Sequence, residues 1–287
     1  MKISAIDIGS NSVRLALVSD GKTLYKRIRT TPLGEGLSFS GSMKDEAIER
    51  TALAVADFVN CAKAEKTDKL YAFATAAVRS ASNKAQFLAR VKQLCGLEID
   101  VISGETEAKI GIVGALGNND GGIIDVGGAS TEVTFRAGGR TVYSKSVNVG
   151  TVRLFDLAAR NKQKLLRIIS EKIEEYGEFS AENVNMRAIG GTATRLAAIK
   201  HNLLQYTPEV TDGTNFTVGE LEKYADGLLS TPVEIIRANT ICSASAEVIG
   251  GGCLLLAEIM KKLKIKSLTV SGRDNLEGYI IYKEGAL

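Results

Sequence analysis

The chain has 287 residues, 45% hydrophobic and 24% charged, with 29 glycines and 3 prolines. That composition excludes disordered, collagen-like and disulfide-scaffold proteins and is long enough for two domains. Lysine and arginine number 36 against 33 aspartates and glutamates, a net charge of +3, too balanced to coat nucleic acid by bulk electrostatics, so any polyanion must be held by a local site.

The chain opens on a strand, MKISAIDI, with no basic segment leading into an apolar secretory stretch. No apolar run reaches the roughly 18 residues of a membrane helix. Cys61, Cys95, Cys242 and Cys253 lack CxxC spacing and read as free thiols of a reducing compartment. The expected location is cytoplasmic.

The apolar run Ile3, Ala5, Ile6 and Ile8 is interrupted by Asp7 and followed by Gly9-Ser10-Asn11-Ser12 and a second apolar strand. The same pattern, I-D-[I/V]-G-x-x-S, returns at residues 124 to 133 with Asp125 and Gly127-Gly128-Ala129-Ser130-Thr131. A repeat this widely spaced marks two duplicated domains, here 1–117 and 118–287, joined by a short hinge near Gly117 to Asp120. Between the hairpins, Ile48, Ala52, Val55, Ala56, Val59 and Ala62 predict an amphipathic helix opened by Ser42. KLYAFA is then a buried strand entering the loop TAAVRSASN, KAQFLARVKQLC a helix, EIDVIS a strand, and GETEAKIGIVGALG a helix capped by Ser103. Further helices are predicted near 161–178, 192–200, 218–229 and 244–263, the third opened by the capping box Thr217 and Glu220, with strands at RAIGG and SLTVSG.

Gly, Ser and Asn in the two hairpin turns let backbone amides and hydroxyls approach a phosphate, although such residues also make ordinary turns. Two like turns on duplicated domains can clamp one oligophosphate. A third, Gly190-Gly191-Thr192, stands between a strand and a helix, where an anion is favoured. The single histidine, His201, lies in the polar stretch KHNLLQ. Serine-histidine, cysteine-histidine and multi-histidine metal chemistry are excluded, so hydrolysis must use carboxylates. Gly111 and Gly114 share a helical face with Glu107 and leave it open to close approach. The basic runs KRIR at 26 to 29 and KKLKIK at 261 to 266 either steer a polyanion or, for the second, end a helix in solvent.

The segments AIDIGSNSVRLAL, LGEGL, FATAAVRSASN, VISGETEAKIGIVGA, GGIIDVGGASTEV, SVNVGTVRL, AIGGTATRLAAI and LTVSGRDNLEGYI, in this order, resemble the exopolyphosphatase/guanosine pentaphosphate phosphatase family of the actin, hexokinase and heat-shock ATPase superfamily, in its short two-domain form. The resemblance covers essentially the whole chain. It implies an α/β fold of two ribonuclease-H-like domains around a phosphate cleft, and a phosphohydrolase releasing terminal phosphate from inorganic polyphosphate. Position by position it implies Glu107 as the residue activating water and Arg79 as a phosphate-contacting arginine, with Asn83 a weaker candidate. It further implies a Mg²⁺ site at Asp125 and Glu132, with Asp7 contributing through water, and substrate contacts at Gly9, Ser10, Asn11, Ser12, Gly127, Gly128, Ala129, Ser130, Thr131, Gly190, Gly191 and Thr192.

Three positions depart from the family pattern: Ala129 replaces a third glycine, Pro32 stands where a basic residue is frequent, and Gly272 where an aspartate is. They bear on which substrate is preferred. The implied partners are inorganic polyphosphate and guanosine penta- or tetraphosphate, not nucleic acid or membrane, with a homodimer as the assembly to test for. The competing functions are a kinase or ATPase of the same superfamily and a non-catalytic alarmone-binding sensor.

Overall fold

The structure, a computed structural model, describes residues 1–204, 207–238 and 241–285. Two mixed sheets form its frame. The first contains β1 (Lys2–Ile8), β2 (Ser12–Ser19), β3 (Lys22–Thr30), β4 (Lys69–Ala74) and β5 (Asp100–Val101), in the order β3-β2-β1-β4-β5. Its first three strands are antiparallel, and β4 and β5 run parallel to β1. The second contains β6 (Gly121–Val126), β7 (Thr131–Ala137), β8 (Arg140–Val147), β9 (Met186–Ile189), β10 (Asn215–Thr217) and β11 (Ser267–Val270). Read from β8, its order is β8-β7-β6-β9-β11, the same arrangement, with β10 added at the edge. The duplicated α/β fold expected from the repeated hairpin is thus present in topology as well as in sequence.

The central strands are buried along nearly their whole length, as strands covered by helices on both faces must be. In the first sheet, β1, β2 and β4 pack Ile6, Ile8, Leu15 and Ala72 against Val55 and Phe58 of the helix Asp45–Ala64. On the other face Ile3, Ala5 and Phe73 meet Ile110 of the helix Gly104–Leu116, together with Leu276 and Tyr279 of the last helix, Asn275–Lys283. Residues from the end of the chain therefore complete the core of the first sheet. The second sheet has its own core, in which Ile124, Val133 and Phe216 pack with Leu255 and Ile259 of the helix Ile249–Lys262.

Gly104–Leu116 and Asn275–Lys283 cross in close contact. A Cβ on Gly114 would stand 2.0 Å from the Asp274 carbonyl oxygen, and one on Gly278 would stand 1.8 Å from that of Ile110. The open face foreseen at Gly111 and Gly114 is therefore filled by another helix.

Ser103 does cap its helix, accepting from the Thr106 N–H, and Thr217 and Glu220 form the capping box. Ser42 is not a cap: its helix starts at Asp45, after Lys44 in extended conformation. The expected loop TAAVRSASN contains a short helix, Ala76–Ser80, because the Ala-rich segment closes Arg79 N–H onto the Thr75 carbonyl. The predicted helix at 192 starts at Gly190, and that at 244 starts at Ile249 after a 3₁₀ turn, Ser243–Ser245. The segment near Gly117 to Asp120 is tied down: Asp120 accepts from the Gly138 and Gly139 N–H groups, and Arg136 donates to the Gly117 carbonyl. No helix among the described residues is long and apolar enough to cross a membrane.

Candidate active site

The two hairpin turns close identically. Gly9 N–H donates to Ser12 O at 3.0 Å and Gly127 N–H to Ser130 O at 3.1 Å. Their carbonyls are then drawn away from the space between them by neighbouring loops. The Ser10 carbonyl accepts from Gly34 at 2.8 Å and that of Asn11 from Thr31 at 3.0 Å, while the Gly128 carbonyl accepts from Val152 at 2.8 Å. Because N–H and C=O of one peptide point in opposite directions, the amides following those carbonyls are turned away from these loops, and donors so released suit an anion. This gives LGEGL and GTVRL a physical task, holding the turns by their carbonyls. The turns also touch: a Cβ on Gly128 would be 2.7 Å from Ser10 Cβ, and one on Gly150 would be 2.6 Å from the Gly128 carbonyl carbon.

The cleft is lined by Asp7, Gly9, Ser10, Asn11 and Ser12 from the first hairpin, by Asp125, Gly127, Gly128, Ala129 and Ser130 from the second, and by Gly190, Gly191 and Thr192 from the third turn. Gly190 has φ of 82° and faces Asp125 Oδ1, which would lie 2.5 Å from a Cβ there. Glu107, on the first turns of its helix, also lines the cleft and is only 7% exposed. Ala129 adds its methyl beside the turn without leaving the wall.

Three expected residues stand behind the wall. Thr131 is fully buried, its hydroxyl donating to the Val149 carbonyl. Glu132 Oε1 accepts from the hydroxyls of Ser130 at 2.7 Å and Ser146 at 2.6 Å. Arg79 is placed next to Glu107, with Nη1 3.0 Å from Oε2 and 2.9 Å from the Ile102 carbonyl. Asn83 is elsewhere, its amide bonded to both backbone groups of Met43. His201 is exposed and bonded to Thr214.

Negative charge is concentrated at one end of the cleft. Burial, aided by the charge of Glu132, raises the Glu107 carboxyl well above the usual range against the opposing pull of Arg79. Burial and Glu132 likewise push Asp125 up to about 7, although Arg14 and a hydrogen bond from Asn275 Nδ2 resist. Burial also raises Glu132, against its two serine donors. Such carboxylates are short of positive charge.

Of the groups expected at a Mg²⁺ site, Asp7 Oδ1 is buried with no partner and Asp125 reaches the same cleft, while Glu132, paired in register with Asp125, has Oε1 bonded to Ser130 and Ser146. No cluster of three metal-ligating side chains occurs among the described residues. Two carboxylates suit an ion that keeps several waters and takes its other oxygens from phosphates.

Sequence reading missed a buried charge network beside the cleft. Arg14, inside the apolar strand β2, donates to Asp7 Oδ2 and, at 2.7 Å, to Asp274 Oδ2. Lys26 lies 3.4 Å from Asp274 and 2.9 Å from Glu277, the two acids that form the capping box of the last helix. A charged residue within an otherwise apolar strand was the available signal. The basic run at 26 to 29 is consequently no free steering patch, since Lys26 is internal and Arg29 pairs with Asp57. In the run at 261 to 266, Lys261, Lys262 and Lys266 pair with glutamates.

The sequence pattern of the Ppx/GppA phosphatase family matches residues 11–286. The chain is 26% identical over 316 residues to Exopolyphosphatase 2 of Mycobacterium tuberculosis, covering 99% of both proteins. It is 27% identical over 308 residues to the bifunctional 3-dehydroquinate synthase/phosphatase of Fusobacterium nucleatum. That match takes in 97% of this chain and 46% of the relative, so the chain spans about half that protein's length. The crystal structure of the Aquifex aeolicus member of the Ppx/GppA protein family superposes with a TM-score of 0.78 at 27% identity, over 100% of this chain and 98% of that one.

Proposed function

The chain belongs to the Ppx/GppA phosphatase family, and from that premise we propose that it releases terminal phosphate from inorganic polyphosphate, with guanosine pentaphosphate as a second substrate, by direct attack of water activated by Glu107. The observation that carries this reading is a buried glutamate with a raised pKa, held by Arg79 on the wall of a cleft whose floor is two facing phosphate-sized turns.

The backbone amides of the hairpin turns bind the oxygens of the terminal phosphoryl group, and the amides at Gly190 and Gly191 receive the next. Glu107 accepts a proton from the attacking water. Its raised pKa makes it a stronger base than an exposed carboxylate. Arg79 fixes the carboxylate's orientation through Oε2, leaving Oε1 for the water. Asp7 and Asp125 would hold Mg²⁺, which when bound supplies positive charge against the phosphoryl oxygens.

A phosphate-release assay with polyphosphate, guanosine pentaphosphate and ATP, each with and without Mg²⁺, tests the proposal. Release from polyphosphate or guanosine pentaphosphate that exceeds release from ATP and requires Mg²⁺ is the expected result. Hydrolysis or transfer confined to ATP would replace it with a kinase or ATPase, and binding without turnover would leave a sensor.

A further inference from the structure

Arg14, which lines the cleft, is occupied by Asp7 and Asp274, and Arg79, behind its wall, by Glu107 and the Ile102 carbonyl. Arg195 is different. It lines the cleft from the helix Gly190–Lys200, yet no carboxylate, carbonyl or hydroxyl among the described residues accepts from it. Its guanidinium folds back over the start of that helix, with Nη1 3.0 Å from where a Gly191 side chain would begin. A positive charge there opposes the helix dipole, and Arg14 repels it further. A half-buried guanidinium that no group among the described residues accepts from, with its donors open to the cleft, is placed to take an anion.

The space around Arg195 indicates which anion. The cleft that holds Glu107 encloses about 80 Å³. Arg195, Arg14 and Gly191 also border a second, larger cavity of about 620 Å³, whose wall continues along β3 through Ile28 and Thr30. A substrate that extends from the first space into the second passes Arg195, which lines both.

We propose that Arg195 is a substrate-binding residue that grips a phosphoryl group of the portion not attacked, where the cleft opens into the second cavity. This rests on the phosphohydrolase reading for the identity of the substrate. It adds a specificity element: Arg195 acts on oligophosphates long enough to reach it. Its fork of donors suits a phosphoryl group bidentately, a match that lysine's point charge reproduces only in part.

The test compares wild type with Arg195→Gln and Arg195→Lys, using inorganic tripolyphosphate as the probe. Steady-state turnover with Mg²⁺ gives KM and kcat, and calorimetry in EDTA gives binding without turnover. In the Gln variant KM and Kd should rise about tenfold or more, with kcat within about threefold of wild type, because the contact is made before and during reaction alike. The slope of log affinity against log salt should fall by about one unit, a readout that loss of packing would leave unmoved. The Lys variant should recover part of the affinity. Thermal unfolding of the Gln variant should match or exceed wild type, since an uncompensated charge is removed. Unchanged affinity and salt slope in Arg195→Gln overturns the proposal. If wild type hydrolyses no phosphoanhydride, the functional reading falls, and the calorimetric comparison still decides whether Arg195 binds the oligophosphate.

Discussion

Asp125 faces Glu132 across the second hairpin in the register position where Asp7 faces Arg14 across the first. The duplicated frame therefore carries the same aspartate twice, once opposite a cation and once opposite another acid. In the first sheet burial raises Asp7 while Arg14 opposes the rise and ties the pair to Asp274. In the second, the two acids repel and both are raised, so an added cation relieves strain at Asp125 that does not exist to the same degree at Asp7.

That asymmetry predicts how stability follows pH. Asp125 titrates near 7 in the fold against an ordinary value of 3.8, so the fold prefers its protonated form. Its contribution is full below about pH 4 and is lost as pH rises through about 7. In metal-free protein at pH 8, Asp125→Asn should therefore raise the melting temperature, and Mg²⁺ should raise it for wild type more than for the variant. Scanning calorimetry at pH 5 and pH 8 measures both effects. A melting temperature at pH 8 that the substitution leaves equal or lowers would contradict the assignment.

Glu107→Gln keeps the shape and the Arg79 contact but cannot take a proton. Turnover should fall by about 10²- to 10⁴-fold with KM near wild type. Activity within a few-fold of wild type would move the base to another residue.

The same pair predicts a pH profile. Because burial and Glu132 raise the Glu107 carboxyl, the acidic limb of kcat/KM should lie above the ordinary carboxylate range. Arg79 lowers that pKa, so Arg79→Gln should move the limb to still higher pH as well as reduce the rate. A limb that stays put in Arg79→Gln would mean that Glu107 does not govern it.

The buried network makes a stability prediction independent of catalysis. Arg14→Met strands Asp7 and Asp274 without their shared partner, which should cost about 3 to 5 kcal/mol. Asp274 is held near 2, with Arg14 and Lys26 outweighing burial, so its contribution is present above its ordinary 3.8 and is lost as pH falls through about 2. Denaturant unfolding at pH 7 and pH 2.5 should show the gap between wild type and Arg14→Met narrowing in acid.

Gly278→Ala tests the helix crossing. Its methyl would start 1.8 Å from the Ile110 carbonyl oxygen, a backbone atom that cannot swing aside. The helices must separate, and loss of a cooperative thermal transition or a large fall in its midpoint is expected. A midpoint within a degree or two of wild type would mean the crossing is looser than described.

The repeated hairpins were legible because their signal is local: an apolar strand, an aspartate, a glycine turn and a return strand lie within about ten residues each. Ser103 and the Thr217–Glu220 box were legible for the same reason. The site's second layer was not. Arg14 meets Asp274, and Gly114 meets Gly278, across separations no periodicity encodes. Glu132 was singled out only through the family pattern; the structure sets it opposite Asp125 on the same face of the sheet, with Oε1 held by two serine hydroxyls that no spacing announced. Arg195 went unassigned because one arginine on a helix carries no pattern, and its lack of a partner is visible only in three dimensions.

The last helix, packed on the first sheet, imposes an order on biosynthesis. As the chain leaves the ribosome, β1, β2 and β4 are available early, but Ile3, Ala5 and Phe73 wait for Leu276 and Tyr279, which are made much later. The same late segment brings Asp274 to Arg14 and Asn275 to Asp125. A nascent chain halted before residue 274 thus has both phosphate turns encoded but neither hairpin's aspartate fully supported. The cleft is therefore completed only once residues 274 and 275 have been made.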